Sequence, residues 1–100
     1  MPARFDVQFS SSAPGPIRVE RTVTLPANLH ARPAGRLAQA AAKFTSTIHI
    51  GHNGRTVNPT GVLSVMSLGA TTGTTVTITA EGDDADTAVE TLAEILTTAE

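Results

Sequence analysis

His30 and Arg32 stand two positions apart in NLHARPAG, residues 28–35, at the point where an apolar helical pattern begins. A helix N-terminus carries roughly half an elementary positive charge and normally attracts acidic side chains or bound anions. Two cation-capable side chains at that end leave the anion to come from outside the chain. The first helical amides lack intrahelical acceptors, and Pro33 is tolerated there for the same reason. Those amides, with a planar donor fork at Arg32, suit a phosphate. A neutral imidazole at His30 would also offer one unprotonated, nucleophilic ring nitrogen. The residue types fit reversible phosphoryl transfer to His30, which depends mainly on positioning and charge stabilisation. They also fit a non-covalent anion site, or a histidine that finishes a turn beside a solvated arginine.

The whole chain limits what can surround this pair. Its 100 residues allow one domain. Hydrophobic residues make up 40% of the chain and the three phenylalanines are its only aromatics, so aliphatic side chains must supply the core. The absence of cysteine excludes disulfide and thiolate chemistry and fits a reducing compartment, so a cytoplasmic location is expected. A formal net charge of −2 argues against a general polyanion binder but not against one local phosphate. The basic and aromatic pattern of a nucleic-acid binder is missing. No segment reads as a secretory signal or is long enough to span a bilayer, so direct membrane insertion is not expected.

The elements that would position His30 follow from periodicity. Residues 1–16 read as an extension or linker because SSSAPGP resists regular structure, although Phe5, Val7 and Phe9 alternate as in a short added strand. Residues 17–100 then form the domain. Ile17, Val19, Val23 and Leu25 alternate as one face of a strand, interrupted by Arg21 at a bulge or with its stem across the core edge. Ala34, Leu37, Ala38 and Ala41 mark the first helix. TSTIHI and RTVN flank Asn53-Gly54, a hairpin signal. GVLSVMSLG reads as a short helix with Val62, Val65 and Met66 on its apolar side. In TTVTITA, Val76, Ile78 and Ala80 face inward, and Thr75, Thr77 and Thr79 face outward. Ala85, Ala88, Val89, Leu92, Ile95 and Leu96 form the stripe of a last helix behind an acidic start. The order is β-α-β-β-α-β-α. It predicts an α+β two-layer open-faced sandwich, a four-stranded mainly antiparallel sheet covered by three helices.

NLHARPAG, NGRTVNPTGVLSVMSLGA and ITAEGDDAD, taken in register, resemble the histidine-containing phosphocarrier family, HPr, of the bacterial phosphoenolpyruvate-dependent phosphotransferase system. The resemblance spans roughly residues 17–95. It implies that His30 accepts a phosphoryl group on Nδ1 from phosphorylated enzyme I and passes it to enzyme IIA in sugar uptake, with Arg32 stabilising the phosphate. It further implies partner docking around Ala31, Gly35, Val62, Leu63 and Met66, no cofactor, and a monomer. Val62 fits the core equally well, whereas an exposed Leu63 or Met66 would favour docking. A nitrogen-related branch would use the same chemistry. A non-catalytic module that binds phosphate or a protein is the alternative of a different class.

Two positions depart from the family pattern. Asn28 replaces the usual glycine before the Leu-His pair and is compatible with a positive φ. Gly61 stands where many relatives controlled by a serine kinase carry the phosphorylated serine. Thr60, Ser64 and Ser67 lie nearby and read as caps or surface hydrogen bonds. His49 and His52 belong to the hairpin, and no cysteine or carboxylate cluster completes a metal site with them. Asp83, Asp84 and Asp86 read as favourable charge at a helix start rather than as paired catalytic acids.

Overall fold

The computed structural model describes residues 17–99. The extension at 1–16, with its alternating Phe5, Val7 and Phe9, lies outside the described residues. The chain runs through β1 (Arg18–Thr24), α1 (Ala31–Ala41), β2 (Thr47–His52), β3 (Arg55–Val57), α2 (Val62–Met66), β4 (Thr75–Glu81) and α3 (Ala85–Thr97). This is the expected order. The strands form one sheet, β1-β4-β2-β3, in which every neighbouring pair is antiparallel.

Alternation in β4 explains its place in the sheet interior. Val76, Ile78 and Ala80 are fully buried under the helices, while the intervening threonines look toward solvent. Ile78 pairs with Ile50 of β2 on one side and with Arg21 of β1 on the other. The helices close the apolar face with Leu37 of α1, Val65 of α2, and Val89, Leu92 and Leu96 of α3, all at 1% exposure or less. Each such side chain contributes about 1.5–3 kcal/mol relative to exposure. Alanines at 34, 38, 85 and 88 are buried as well and keep the helices close to the layers beneath them. Asn53 and Gly54, at φ 53° and 84°, turn the β2–β3 hairpin between His52 and Arg55.

Three details differ from the periodic reading. Arg21 pairs one-to-one with Ile78, so β1 has no bulge there; its side chain borders a groove with Glu90 and Glu94 of α3. Ile17 is 56% exposed and Val19 only half-buried, because β1 is an edge strand that the helical layer covers fully only at Val23. On α2, Val65 is the buried residue, Leu68 beyond the helix adds to the core, and Met66 faces outward. A helix of one turn cannot bury a whole stripe. Among the described residues, no helix is long and apolar enough to cross a membrane.

Candidate functional site

His30 is delivered by a loop fastened at both ends. Leu25 and Leu29 are buried at 2% and 5% exposure and pin the segment to the core. The Leu25 N–H donates to the Thr74 carbonyl at 2.9 Å, the Gly73 N–H to the Leu25 carbonyl at 2.8 Å, and the Leu29 N–H to the Ala70 carbonyl at 3.1 Å. The loop before α1 therefore rides on the loop before β4. His30 follows as the N-cap of α1, with extended backbone at φ −79° and ψ −173° and its side chain exposed. Its carbonyl accepts from the Ala34 N–H at 3.0 Å. Its side chain makes no capping bond, which leaves the ring available to the surface.

Asn28 holds that ring. Its Oδ1 accepts from the Thr72 N–H at 2.7 Å and from the Thr72 hydroxyl at 3.0 Å, and its Nδ2 lies 3.3 Å from His30 Nε2. Nδ1 of His30 has no hydrogen-bond partner among the described residues. The expectation for Asn28 concerned its backbone. Among the described non-glycine residues only Asn53 has a positive φ, so Asn28 acts through its carboxamide and not through a left-handed turn. This bridge could not be read from the sequence, because Thr72 lies 44 positions away.

The start of α1 is basic and contains no acidic residue in its first turn. Ala31 and Arg32 are exposed and Pro33 is buried. The N–H groups of Ala31 and Arg32 have no acceptor among the described residues, and Pro33 has no N–H to offer. Arg36 is exposed one turn beyond Arg32, a cation that the motif reading passed over although its i, i+4 spacing was visible. Space above Gly35 is open, with nothing within 4 Å of where a Cβ would stand. On α2, Leu63 is 80% exposed and Met66 38% exposed. Val62 is half-buried against the core, between its two expected roles.

Two of the three hydroxyls around α2, those of Thr60 and Ser67, are engaged, and Ser64 is exposed. Thr60 donates its O–H to Asn58 Oδ1 at 2.8 Å, and Ser67 donates to the Ser64 carbonyl at 2.6 Å. Arg55 of β3 donates to the Ser67 carbonyl at 2.8 Å, placing a cation at the negative end of α2. Gly61 is the α2 N-cap and carries no hydroxyl. His52 donates Nδ1–H to the Thr75 carbonyl at 3.2 Å, while His49 lies exposed on β2. Among the described residues, no group of three or more histidine or acidic side chains is placed to hold a metal.

Asp84 does something other than lend charge to its helix. It is the N-cap of α3 but caps nothing with its side chain. The carboxylate instead accepts from the Ser46 hydroxyl, from the Thr45 N–H at 2.8 Å and from the Ser46 N–H at 2.9 Å, fastening α3 to the start of β2. The Ser46 hydroxyl first, and then the backbone N–H groups, lower its pKa from 3.8 to about 2.

A family model described as the PTS HPr component phosphorylation site matches residues 17–98. Phosphocarrier protein HPr of Buchnera aphidicola subsp. Acyrthosiphon pisum (strain APS) is 41% identical over 75 residues, covering 75% of this chain and 88% of that protein. Among solved structures, phosphocarrier protein HPr from Bacillus anthracis str. Ames superposes with a TM-score of 0.75 at 40% identity, covering 79% of this chain and 96% of that one. The Bacillus subtilis catabolite repression protein Crh, solved as a dimer with a swapped domain, gives a TM-score of 0.64 at 40% identity over 74% of this chain and 85% of its own.

Proposed function

This chain belongs to the HPr phosphocarrier family of the phosphotransferase system, and from that premise we propose that it accepts a phosphoryl group on His30 from phosphorylated enzyme I and delivers it to enzyme IIA in sugar uptake. The observation that carries this reading is the exposed His30 ring at the N-cap of a helix whose first turn offers two amides and Arg32 but no acidic group. Nδ1 is the attacking atom that the family resemblance implies, and it is the ring nitrogen with no hydrogen-bond partner among the described residues. Its lone pair forms the new P–N bond as the bond from phosphorus to the donor breaks, and that electron pair stays with the donor. The Ala31 and Arg32 amides and the Arg32 guanidinium stabilise the charge on the transferred oxygens. Delivery to the next protein is the same displacement in reverse.

Docking is assigned to Ala31 and Gly35 on α1 and to Leu63 and Met66 on α2, with Val62 supporting them from below. An exposed leucine and a flexible methionine beside a polar reactive group provide apolar contact area for more than one partner. One copy of the chain holds every named group, so the monomer is the proposed working unit. Kinase control at the usual serine is not part of this reading, because Gly61 has no hydroxyl.

The test is incubation with phosphoenolpyruvate and enzyme I, followed by intact-mass analysis and site mapping. Acid-labile phosphate on His30, absent in His30→Ala and passed on to enzyme IIA, is the expected result. No modification by a donor shown to phosphorylate another family member would overturn the reading and favour a non-catalytic binding module. Phosphorylation by a nitrogen-branch donor alone would move the protein to that branch.

A further inference from the structure

We propose that Asn28 is a positioning residue that makes Nε2 of His30 a hydrogen-bond acceptor, in the resting ring and in the Nδ1-phosphorylated ring alike. The orientation of its carboxamide is settled by Thr72. A backbone N–H only donates, so the atom 2.7 Å from the Thr72 nitrogen must be the amide oxygen, and the Thr72 hydroxyl supports it at 3.0 Å. The NH₂ group is then the end that faces His30 Nε2 at 3.3 Å. An amide NH₂ only donates in a hydrogen bond, so Nε2 must present its lone pair and the neutral ring must hold its proton on Nδ1.

Replacing the Nδ1 proton by a phosphoryl group leaves Nε2 an acceptor, and the same Asn28 bond serves the neutral phosphohistidine. The attacking ring is the mismatched state. For Nδ1 to offer a lone pair, its proton must leave to water and another must arrive on Nε2, where it meets the Asn28 NH₂ and the bond is lost. Attack yields a ring phosphorylated on Nδ1 and protonated on Nε2. Release of the Nε2 proton to water restores the Asn28 bond. Cleavage of the P–N bond returns its electron pair to Nδ1 and is easiest when Nε2 is protonated, because a neutral imidazole then departs. Asn28 therefore opposes the labile form and lengthens the life of the phosphoryl group between partners.

The resting arrangement stands on geometry alone, while the consequence for the phosphoryl group rests on the phosphocarrier reading. The experiment separates the two. In the unphosphorylated full-length protein, at a pH where the ring is neutral, ¹⁵N chemical shifts of His30 report which nitrogen carries the proton. The wild type is expected to hold it on Nδ1, and Asn28→Ala to move the balance toward Nε2–H by about 2- to 10-fold, the worth of an ordinary hydrogen bond. Asn28→Asp keeps an oxygen for Thr72 and turns an acceptor toward the ring, so it should reverse the tautomer while leaving the Thr72 amide signal in place. A wild-type ring protonated on Nε2, or the same tautomer in the wild type and Asn28→Asp, overturns the inference. In the phosphorylated protein, ³¹P decay should be faster in Asn28→Ala by a similar factor, and equal decay overturns the proposed protection. Failure of any donor to phosphorylate His30 counts against the function, and the ¹⁵N shifts then decide the role of Asn28 by themselves.

Discussion

Thr72 donates twice to one oxygen of Asn28, from its backbone at 2.7 Å and from its hydroxyl at 3.0 Å, and so ties the loop before β4 to the loop that carries His30. Removing only the hydroxyl tests how much of that tie is side-chain work. Thr72→Val should lose about 0.5–1.5 kcal/mol in urea unfolding. Phosphoryl acceptance should not slow, because the attacking ring gives up its Asn28 bond, and a slower rate would count against that account.

His30→Ala should abolish phosphorylation while leaving stability within about 0.5 kcal/mol, because the ring is exposed and makes one long hydrogen bond among the described residues. Arg32→Ala is expected to fold equally well and to transfer more slowly. Equal transfer rates to and from Arg32→Ala would remove Arg32 from the reaction.

Asp84 sets an acid limit on the fold. Its folded pKa is about 2 against an ordinary 3.8, so the carboxylate contributes stability in full above about pH 4, and that contribution is lost as pH falls through about 2. Asp84→Asn should therefore be less stable than the wild type at neutral pH, with the difference shrinking between pH 4 and pH 2. Urea midpoints measured across that window check the sign. A constant difference would mean that the Ser46 and Thr45 bonds do not depend on the charge.

Two glycines should respond in opposite directions. Gly82 has a φ of 145°, and a Cβ there would stand 2.8 Å from the Ser46 Cα, so Gly82→Ala should cost about 1–3 kcal/mol or more. Gly35 lies within α1 with open space around it, and Gly35→Ala should gain about 0.5–1 kcal/mol. If Gly35→Ala is more stable but transfers more slowly, the methyl group obstructs docking. Thermal melts and transfer rates on the same samples distinguish the two effects.

Leu63→Ser removes an 80% exposed apolar side chain and should leave stability within about 0.5 kcal/mol. The expected loss is in partner affinity, read by titration against enzyme I. Unchanged affinity would take Leu63 out of the docking surface.

The architecture was legible because its cause is local. Alternation at Val76, Ile78 and Ala80 and the stripe from Ala85 to Leu96 each state which face must be buried, and four such strands with three such helices have few ways to close. His30 and Arg32 were legible too, since their position at a helix start and the proline beside them are properties of neighbouring residues. Ile17 and Val19 were misjudged where burial depends on an edge strand, whose covering layer the local pattern does not contain.

The sequence by itself therefore determined the order of elements, most of the buried faces, the place of His30 and Arg32 at a helix start, and the absence of a hydroxyl at Gly61. The tertiary structure alone decided which side chains orient and fasten them. Asn28 meets Thr72 across 44 residues before β4 begins, and Asp84 meets Ser46 across 38 beyond its end, because sheet order brings distant loops together at each end of the central strands. Exposure of Leu63 and the Asn28 bond of the His30 ring were settled in the same way. A hydrogen bond or an uncovered side chain belongs to a pair of surfaces, and the physical reason it escapes the sequence is that only folding specifies which surfaces meet.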